Sequence, residues 1–430
     1  HMKISDIRYA SLSEVRALPP FDMVSPPRKV KWYLKPLTWL LAFPEDVAVG
    51  AKIHKHNMKN VKGPYLLLCN HNSFVDFKVT VKAIWPKFAN YIVAVDGFIG
   101  REKLLRNVGC LLKRKFVSDI ITVRNIMHSM NKNKYICAIY PEARYSLVGT
   151  TAILPDSLGK MAKMLKKPVV TLICHGHHLR QPVWNYLYKR KLKTTADMTC
   201  VVSAEEIETL SIVEINNRIR EAFKYDDYDW QKHHNIRINF KKRAEGLHKI
   251  LYKCPHCLEE TGMHSEGTKL WCDHCHKTYQ MTELGEMQAT DGNTEFSHIP
   301  DWYEWEREQV KKEIEAKTYE VNVEVDIDAL PNSTGYYRLG KGQLSHSVDG
   351  FNLDAVFPNK EELHIHKTVL ENYSVHVEFD YFGKGDGISF SDSDETFYFF
   401  PTDKRFPVTK VHFAVEELFK LLPQKNKPTP

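Results

Sequence analysis

The densest polar cluster in the chain is Asn70-His71-Asn72-Ser73-Phe74-Val75-Asp76, directly after the apolar run Leu66-Leu67-Leu68. A histidine can accept a proton near neutral pH, and a carboxylate held against it fixes its tautomer and stabilises the imidazolium. His71 and Asp76 are five positions apart, so on a regular helix they point to different sides. They can meet only if His71 lies in the turn before a helix, with Ser73 as N-cap and Asp76 in the first turn. Ser73-x-x-Asp76 is also a capping-box spacing, which accounts for both residues structurally and leaves His71 as an exposed loop residue. Spacing alone favours capping, and the two roles are compatible.

A second constellation is Cys254-Pro-His-Cys257 and Cys272-Asp-His-Cys275, with fourteen residues between the pairs. Two C-x-x-C knuckles closing on one ion are the pattern of a zinc ribbon. Four thiolates complete a tetrahedral shell, so one Zn2+ is expected here as a structural ion that supplies the stability of a segment too small to fold alone. His256, His274 and His276 read as bystanders, with a Cys3His shell as the alternative. The charges around the ribbon are mixed, so a nucleic-acid role is not expected. The other five cysteines, Cys69, Cys110, Cys137, Cys174 and Cys200, stand singly in apolar stretches. Together with the odd total of nine they point to a reducing compartment and not to a disulfide scaffold.

These groups need elements to hold them. A length of 430 residues implies about two to four domains. With 43% hydrophobic and 26% charged residues, wholesale disorder is excluded. The formal charge of +7 suits anionic partners without selecting one. No run approaches the ~20 apolar residues of a membrane span.

Residues 61–245 alternate short apolar runs with helical patterns, the grammar of an α/β domain. Strands are expected at Tyr65–Cys69, Tyr91–Val95, Tyr135–Tyr140, Val169–Cys174 and Thr199–Val202, and Ser211 with Glu214 makes a capping box before a helix. Before this domain, residues 3–60 are basic and aromatic. Val30 to Phe43 mixes lysines with Trp32, Tyr33 and Trp39, which suits either a helix in a membrane interface or one packed on its own domain. The ribbon occupies 246–290 and a linker helix 291–317. Residues 318–425 alternate in strand fashion, with turns at Pro331-Asn332, Asp349-Gly350 and Gly383-Lys-Gly385, and close with a helix from Lys410 to Leu422. In element order this all-β module is pleckstrin-homology-like. His364, His366 and His376 are expected on its solvent-facing side.

The motif Asn70-His71-x-Ser73-x-x-Asp76 resembles the first box of the glycerolipid acyltransferases, in particular the lysophosphatidic acid acyltransferase branch. The other boxes follow in order over about residues 30–225. Gly109-Cys-Leu-Leu-Lys-Arg-Lys115 is similar to the second, with Lys115 at the family's arginine position. Tyr140-Pro-Glu-Ala-Arg-Tyr-Ser146 is similar to the third, with Ala143 where the family has glycine and Arg144 one position early. Lys167-Pro-Val-Val-Thr-Leu172 matches the fourth.

The resemblance implies an O-acyltransferase in phospholipid biosynthesis. His71, oriented by Asp76, would take the proton from an acceptor hydroxyl as that hydroxyl attacks the thioester of a donor, acyl-CoA or acyl carrier protein. The acceptor would be a lysophospholipid, with 1-acylglycerol-3-phosphate leading. Asn70, Ser73, Gly109, Lys113, Arg114, Lys115, Glu142 and Arg144 would line the substrate site, the cations holding the phosphate. No redox or nucleotide cofactor is expected. The ribbon would serve as a docking element for the flanking domains or for an acyl carrier protein. The enzyme would sit on the cytoplasmic face of a membrane. Two rival expectations stand beside this one: a different lysolipid or an amine as acceptor, and a zinc/β-module adaptor with a decayed catalytic domain.

Overall fold

The computed structural model describes residues 7–36, 38–40, 50–117 and 119–422. They form two compact units. One comprises Asp22–Lys113 and Ser118–Ile236, the other His1–Phe21, Arg114–Val117 and Arg237–Thr429. The first strand of the chain, β1 (Arg8–Tyr9), belongs to the latter.

The Asp22–Ile236 unit is built on a seven-stranded sheet in the order β2-β8-β7-β3-β6-β4-β5. Its strands are β2 (Lys52–His56), β3 (Leu66–Cys69), β4 (Ala89–Ala94), β5 (Cys110–Lys113), β6 (Ile136–Ile139), β7 (Val169–His175) and β8 (Thr195–Val202). All neighbours are parallel except β7 and β8. Both faces of a parallel sheet must be covered, which is why β3 and β6 are buried along their whole length and read as unbroken apolar runs. One face packs Leu66, Leu68, Ile139, Val169 and Ile173 against Ile215, Ile219 and Phe223 of helix Ile212–Ala222. Each such side chain contributes about 1.5–3 kcal/mol by burial. That helix begins with the expected capping box, Ser211 Oγ accepting from Glu214 N at 3.2 Å.

The five expected strands are present within a few residues. Two more are added: β5 from the second-box segment, and β2, which places the sheet's edge before the expected boundary at residue 61. In the expected amphipathic helix Val30–Phe43, Trp32–Leu34 is a single 3-10 turn. Leu37 and residues 41–43 lie outside the described residues.

The second unit holds two sheets. Strands β9 (Met263–Glu266), β10 (Lys269–Cys272), β11 (Thr278–Met281) and β12 (Met287–Ala289) pair antiparallel in the order β12-β11-β10-β9. After helix Ile299–Glu315 come β13 (Val321–Asn332), β14 (Gly335–Ser347), β15 (Gly350–Val356), β16 (Glu362–Lys367), β17 (His376–Glu378), β18 (Gly387–Ser391) and β19 (Thr396–Pro401). Their order is β16-β15-β14-β13-β19-β18-β17, two antiparallel meanders joined through the first and last strands. Helix Val408–Leu421 follows and packs on helix Ile299–Glu315, with Tyr303 and Phe413 rings 4.6 Å apart and Arg307 Nη1 2.7 Å from Glu416 Oε2.

The start of the chain corrects an expectation. β1 runs parallel to β14, and at the start of helix Leu12–Arg16, capped by Ser11, the Glu361 carboxylate accepts from Leu12 N at 2.8 Å. Residues 7–21 therefore group with the β-rich unit and not with the residues that follow them in the expected 3–60 segment. His364 and His366 are exposed as expected, but His376 is buried beside Glu378, with Nε2 to Oε1 at 2.6 Å. No helix among the described residues is long and apolar enough to cross a membrane.

Candidate active site

β7, β3 and β6 are consecutive in the sheet and parallel, so the loops leaving their C-terminal ends converge, the usual place for a site in such sheets. Asn70 ends β3 and is fully buried. Its Nδ2 donates to Cys174 O at 2.9 Å and its Oδ1 accepts from Cys174 N at 2.8 Å, tying β3 to β7. Asn70 thus acts as a brace, and its expected place in the substrate site is not where its side chain goes.

The next residue, His71, lies in the turn before helix Val75–Ile84, as its pairing with Asp76 requires. Its Nδ1 is 3.2 Å from Asp76 Oδ2. The His71 side chain is 23% exposed and that of Asp76 only 1%, so part of the imidazole remains reachable. The ring sits between two tyrosines, centroids 4.4 Å from Tyr140 and 4.3 Å from Tyr145. Asp76 Oδ2 also accepts Asn72 N at 2.6 Å and Ser73 N at 2.8 Å. Burial works to raise the Asp76 carboxyl, but bonds from His177 and His71 outweigh it and hold it at about 2. The carboxylate is ionised and can only accept, so His71 Nδ1 carries the proton and Nε2 is the free base.

Only half of the expected capping box forms. The carboxylate takes the Ser73 backbone N–H, whereas Phe74 is the N-cap and no side chain caps the helix. Ser73 Oγ is buried without a hydrogen-bond partner.

The third-box loop follows β6. Glu142 is fully buried; its Oε1 accepts from His71 N at 3.1 Å and its Oε2 from Ala152 N at 3.0 Å. Ser146 N in turn donates to His71 O at 2.7 Å. Glu142 and Ser146 therefore fix both backbone groups of His71, which is a positioning task where acceptor binding was expected. Burial pushes the Glu142 carboxyl up to about 7, against the bonds from Ala152 and His71 and the charge of Arg144. Ala143 adopts φ of +55°, a left-handed turn that glycine takes without strain. Arg144 is buried, with Nη1 donating to Tyr145 O at 3.3 Å.

The second-box segment divides. Gly109 has φ of +89°, and a Cβ there would come within 2.9 Å of Asn90 Nδ2, so the turn into β5 requires glycine. Lys113 ends β5 with Nζ 3.4 Å from Asp119 Oδ2; burial pushes its ammonium below the ordinary lysine value, and Asp119 opposes that. Arg114 and Lys115 belong to the β-rich unit. Arg114 donates to Ser393 O at 2.7 Å and Asp394 O at 2.6 Å, and Lys115 Nζ lies 2.7 Å from His376 Nε2 and 3.7 Å from Glu378 Oε1. Of the cations expected to hold a phosphate, Arg114 is thus engaged by backbone carbonyls and Lys115 by a histidine–glutamate pair.

Sequence reasoning missed one residue at the centre of the site. His177 Nδ1 lies 2.5 Å from Asp76 Oδ1, and both side chains are buried. The residues are 101 positions apart, and the run His175-Gly-His-His178 matches no spacing rule that would have flagged it.

The Sγ atoms of Cys254, Cys257, Cys272 and Cys275 lie within 4.8 Å of one another. Cys254 to Cys275 and Cys257 to Cys272 are each 3.7 Å. The two knuckles share a backbone design: Leu258 N bonds Cys254 O at 2.9 Å and His276 N bonds Cys272 O at 2.8 Å. Leu258 and His276 both have positive φ.

Residues 51–175, which contain His71, Asp76 and the third-box loop, match the Acyltransferase family model. The first unit therefore carries an acyltransferase-type domain. Among solved structures, the chain is similar to the 1-acyl-sn-glycerophosphate (LPA) acyltransferase PlsC from Thermotoga maritima, at 14% identity and a TM-score of 0.37, over 45% of this chain and 77% of that one. No curated protein matches the chain.

Proposed function

We propose that the His71 unit moves a fatty acyl group from a thioester donor, acyl-CoA or acyl carrier protein, to the hydroxyl of a lysophospholipid, 1-acylglycerol-3-phosphate being the leading acceptor. The observation that carries this reading is the His71–Asp76 pair at the end of β3, inside the stretch that matches the acyltransferase family. In this reaction His71 Nε2 takes the hydroxyl proton as the oxygen attacks the thioester carbonyl. The tetrahedral oxyanion then collapses with loss of thiolate, which recovers the proton from His71. Asp76 holds Nδ1 and offsets the imidazolium charge. Base catalysis of this kind is worth about 10²–10⁴-fold. Ser73 Oγ, buried and unpartnered, is the side-chain donor best suited to the oxyanion.

Other parts of the reading rest on separate observations. A tetrahedral Zn–S shell with bonds of about 2.3 Å has edges of roughly 3.8 Å; the 3.7 Å separations of the cysteine sulfurs support one structural Zn2+. Exposed Trp32, Tyr33 and Leu40 beside Lys29, Lys31 and Lys35 support contact with the cytoplasmic surface of a membrane. Seven antiparallel strands closed by a helix support the pleckstrin-homology-like reading of the module. A different lysolipid or an amine acceptor is the second reading, favoured by the engagement of Arg114 and Lys115 in the β-rich unit.

Thiol release by the full chain, with long-chain acyl-CoA and acyl carrier protein donors and a lysolipid panel presented in vesicles, tests these readings. Turnover should depend on the acceptor and fall by about 10²–10⁴-fold in His71→Ala. Absence of turnover with every acceptor would sink the enzyme reading.

A further inference from the structure

We infer that His177 is a positioning residue that sets the basicity of His71 through the carboxylate they share. Asp76 lies between two imidazoles, Oδ2 facing His71 Nδ1 at 3.2 Å and Oδ1 facing His177 Nδ1 at 2.5 Å. Because the carboxylate can only accept, His177 Nδ1 carries a proton, and its Nε2 is met by Thr194 Oγ1 at 3.2 Å. A neutral His177 in that tautomer accepts the Thr194 hydroxyl, which strengthens Nδ1–H as a donor to Asp76.

The surroundings hold this tautomer and ring position. His177 follows Gly176 (φ +83°), whose missing Cβ would lie 2.7 Å from Trp230. The turn is pinned by Asp227, which accepts Gly176 N at 2.9 Å and His178 N at 3.1 Å. Other titratable or charged groups near the pair are Cys69, Cys174, His175, Tyr225 and Asp227, with Tyr140, Glu142, Arg144 and Tyr145 on the His71 side.

The consequence is a division of charge. Each donor that Asp76 accepts draws on the negative charge it offers to His71 as the proton arrives. With His177 in place the imidazolium is stabilised less than by an otherwise similar carboxylate lacking that donor. His71 is thereby kept able to return the proton to the departing thiolate. This inference rests on the acyl-transfer reading for its kinetic arm only.

The test compares His177→Leu, which removes the donor, with His177→Asn, whose side-chain amide keeps an N–H at the position of Nδ1. In His177→Leu the acid limb of the pH–rate profile should move to higher pH by about 0.5–1 unit, and His177→Asn should restore it. Without substrate, the His71 Nδ1 proton resonance should move downfield in His177→Leu, as Asp76 becomes the stronger acceptor, and return in His177→Asn. Should His177→Leu fail to fold, Thr194→Val weakens the same donor and should give a smaller shift of the same sign. An unmoved resonance in the folded variants overturns the inference, as does equal behaviour of the Leu and Asn variants. Lack of turnover by the wild type would overturn the acyl-transfer reading alone, and the resonance would still decide the role of His177.

Discussion

Asn70 and Cys174 exchange two hydrogen bonds, side-chain amide to backbone, at 2.9 and 2.8 Å across the ends of adjacent parallel strands. Asn70 satisfies groups that sheet pairing would otherwise leave open, and in doing so places His71 and His177 on either side of Asp76. Asn70→Ala orphans a buried N–H and weakens the satisfaction of a carbonyl. It should cost about 2–4 kcal/mol in denaturant unfolding and lower kcat more than it raises KM.

Glu142 gives the fold a pH signature. Its folded carboxyl sits at about 7, above the unfolded value of about 4.3. The folded state therefore binds more protons in between, and stability from this group is lost as pH rises from about 4.5 to 7. Asp76 has the opposite sign: held at about 2, it contributes stability above pH ~4 that is lost as pH falls through 2. Denaturant midpoints measured from pH 4 to 8 should fall less steeply in Glu142→Gln, which cannot ionise. An unchanged slope would show that the carboxylate is not the source.

Arg114 separates a binding role from a structural one. If its two carbonyl bonds reflect its task, Arg114→Ala should cost about 1–3 kcal/mol of stability while the acceptor KM stays within about twofold. A large rise in KM at unchanged stability would return Arg114 to the phosphate.

Ala143 occupies a left-handed turn. Ala143→Gly should raise the thermal midpoint, the relief of about 1–2 kcal/mol of strain exceeding the entropy that glycine adds to the unfolded chain.

The ribbon prediction is metal content. About one zinc per chain is expected, and chelation should release hydrogen-exchange protection in Cys254–Met281 ahead of the rest of the chain. Folded protein without zinc would remove the assignment.

What the sequence disclosed follows from local pattern. β3 and β7 were legible because Leu66–Cys69 and, apart from Thr171, Val169–Cys174 are apolar, as strands covered on both faces must be. β2, Lys-Ile-His-Lys-His, was not, because it is an edge strand and mostly exposed. β14 was obscured by Gly340 and Gly342, which the packing requires: a Cβ at either would come within 2.9 Å of a neighbouring side chain. In the site, His71 and Asp76 could be paired because one turn separates them. Glu142 was picked out for its box, but its partners, the backbone of His71 and Ala152, have no side-chain signature. His177 reaches Asp76 only through the order of β3 and β7, which no local pattern encodes.

The membership of Arg114–Val117 in the β-rich unit has a practical meaning for cutting the gene. Neither unit is an unbroken stretch of chain, since residues up to Phe21 and this four-residue insert are grouped with the C-terminal half. A fragment ending at Ile236 would keep Arg114 and the buried Phe116 but lose Ser393, Asp394 and Tyr373, to which they bond or pack. The Asp22–Ile236 half is thus poorly suited to expression on its own.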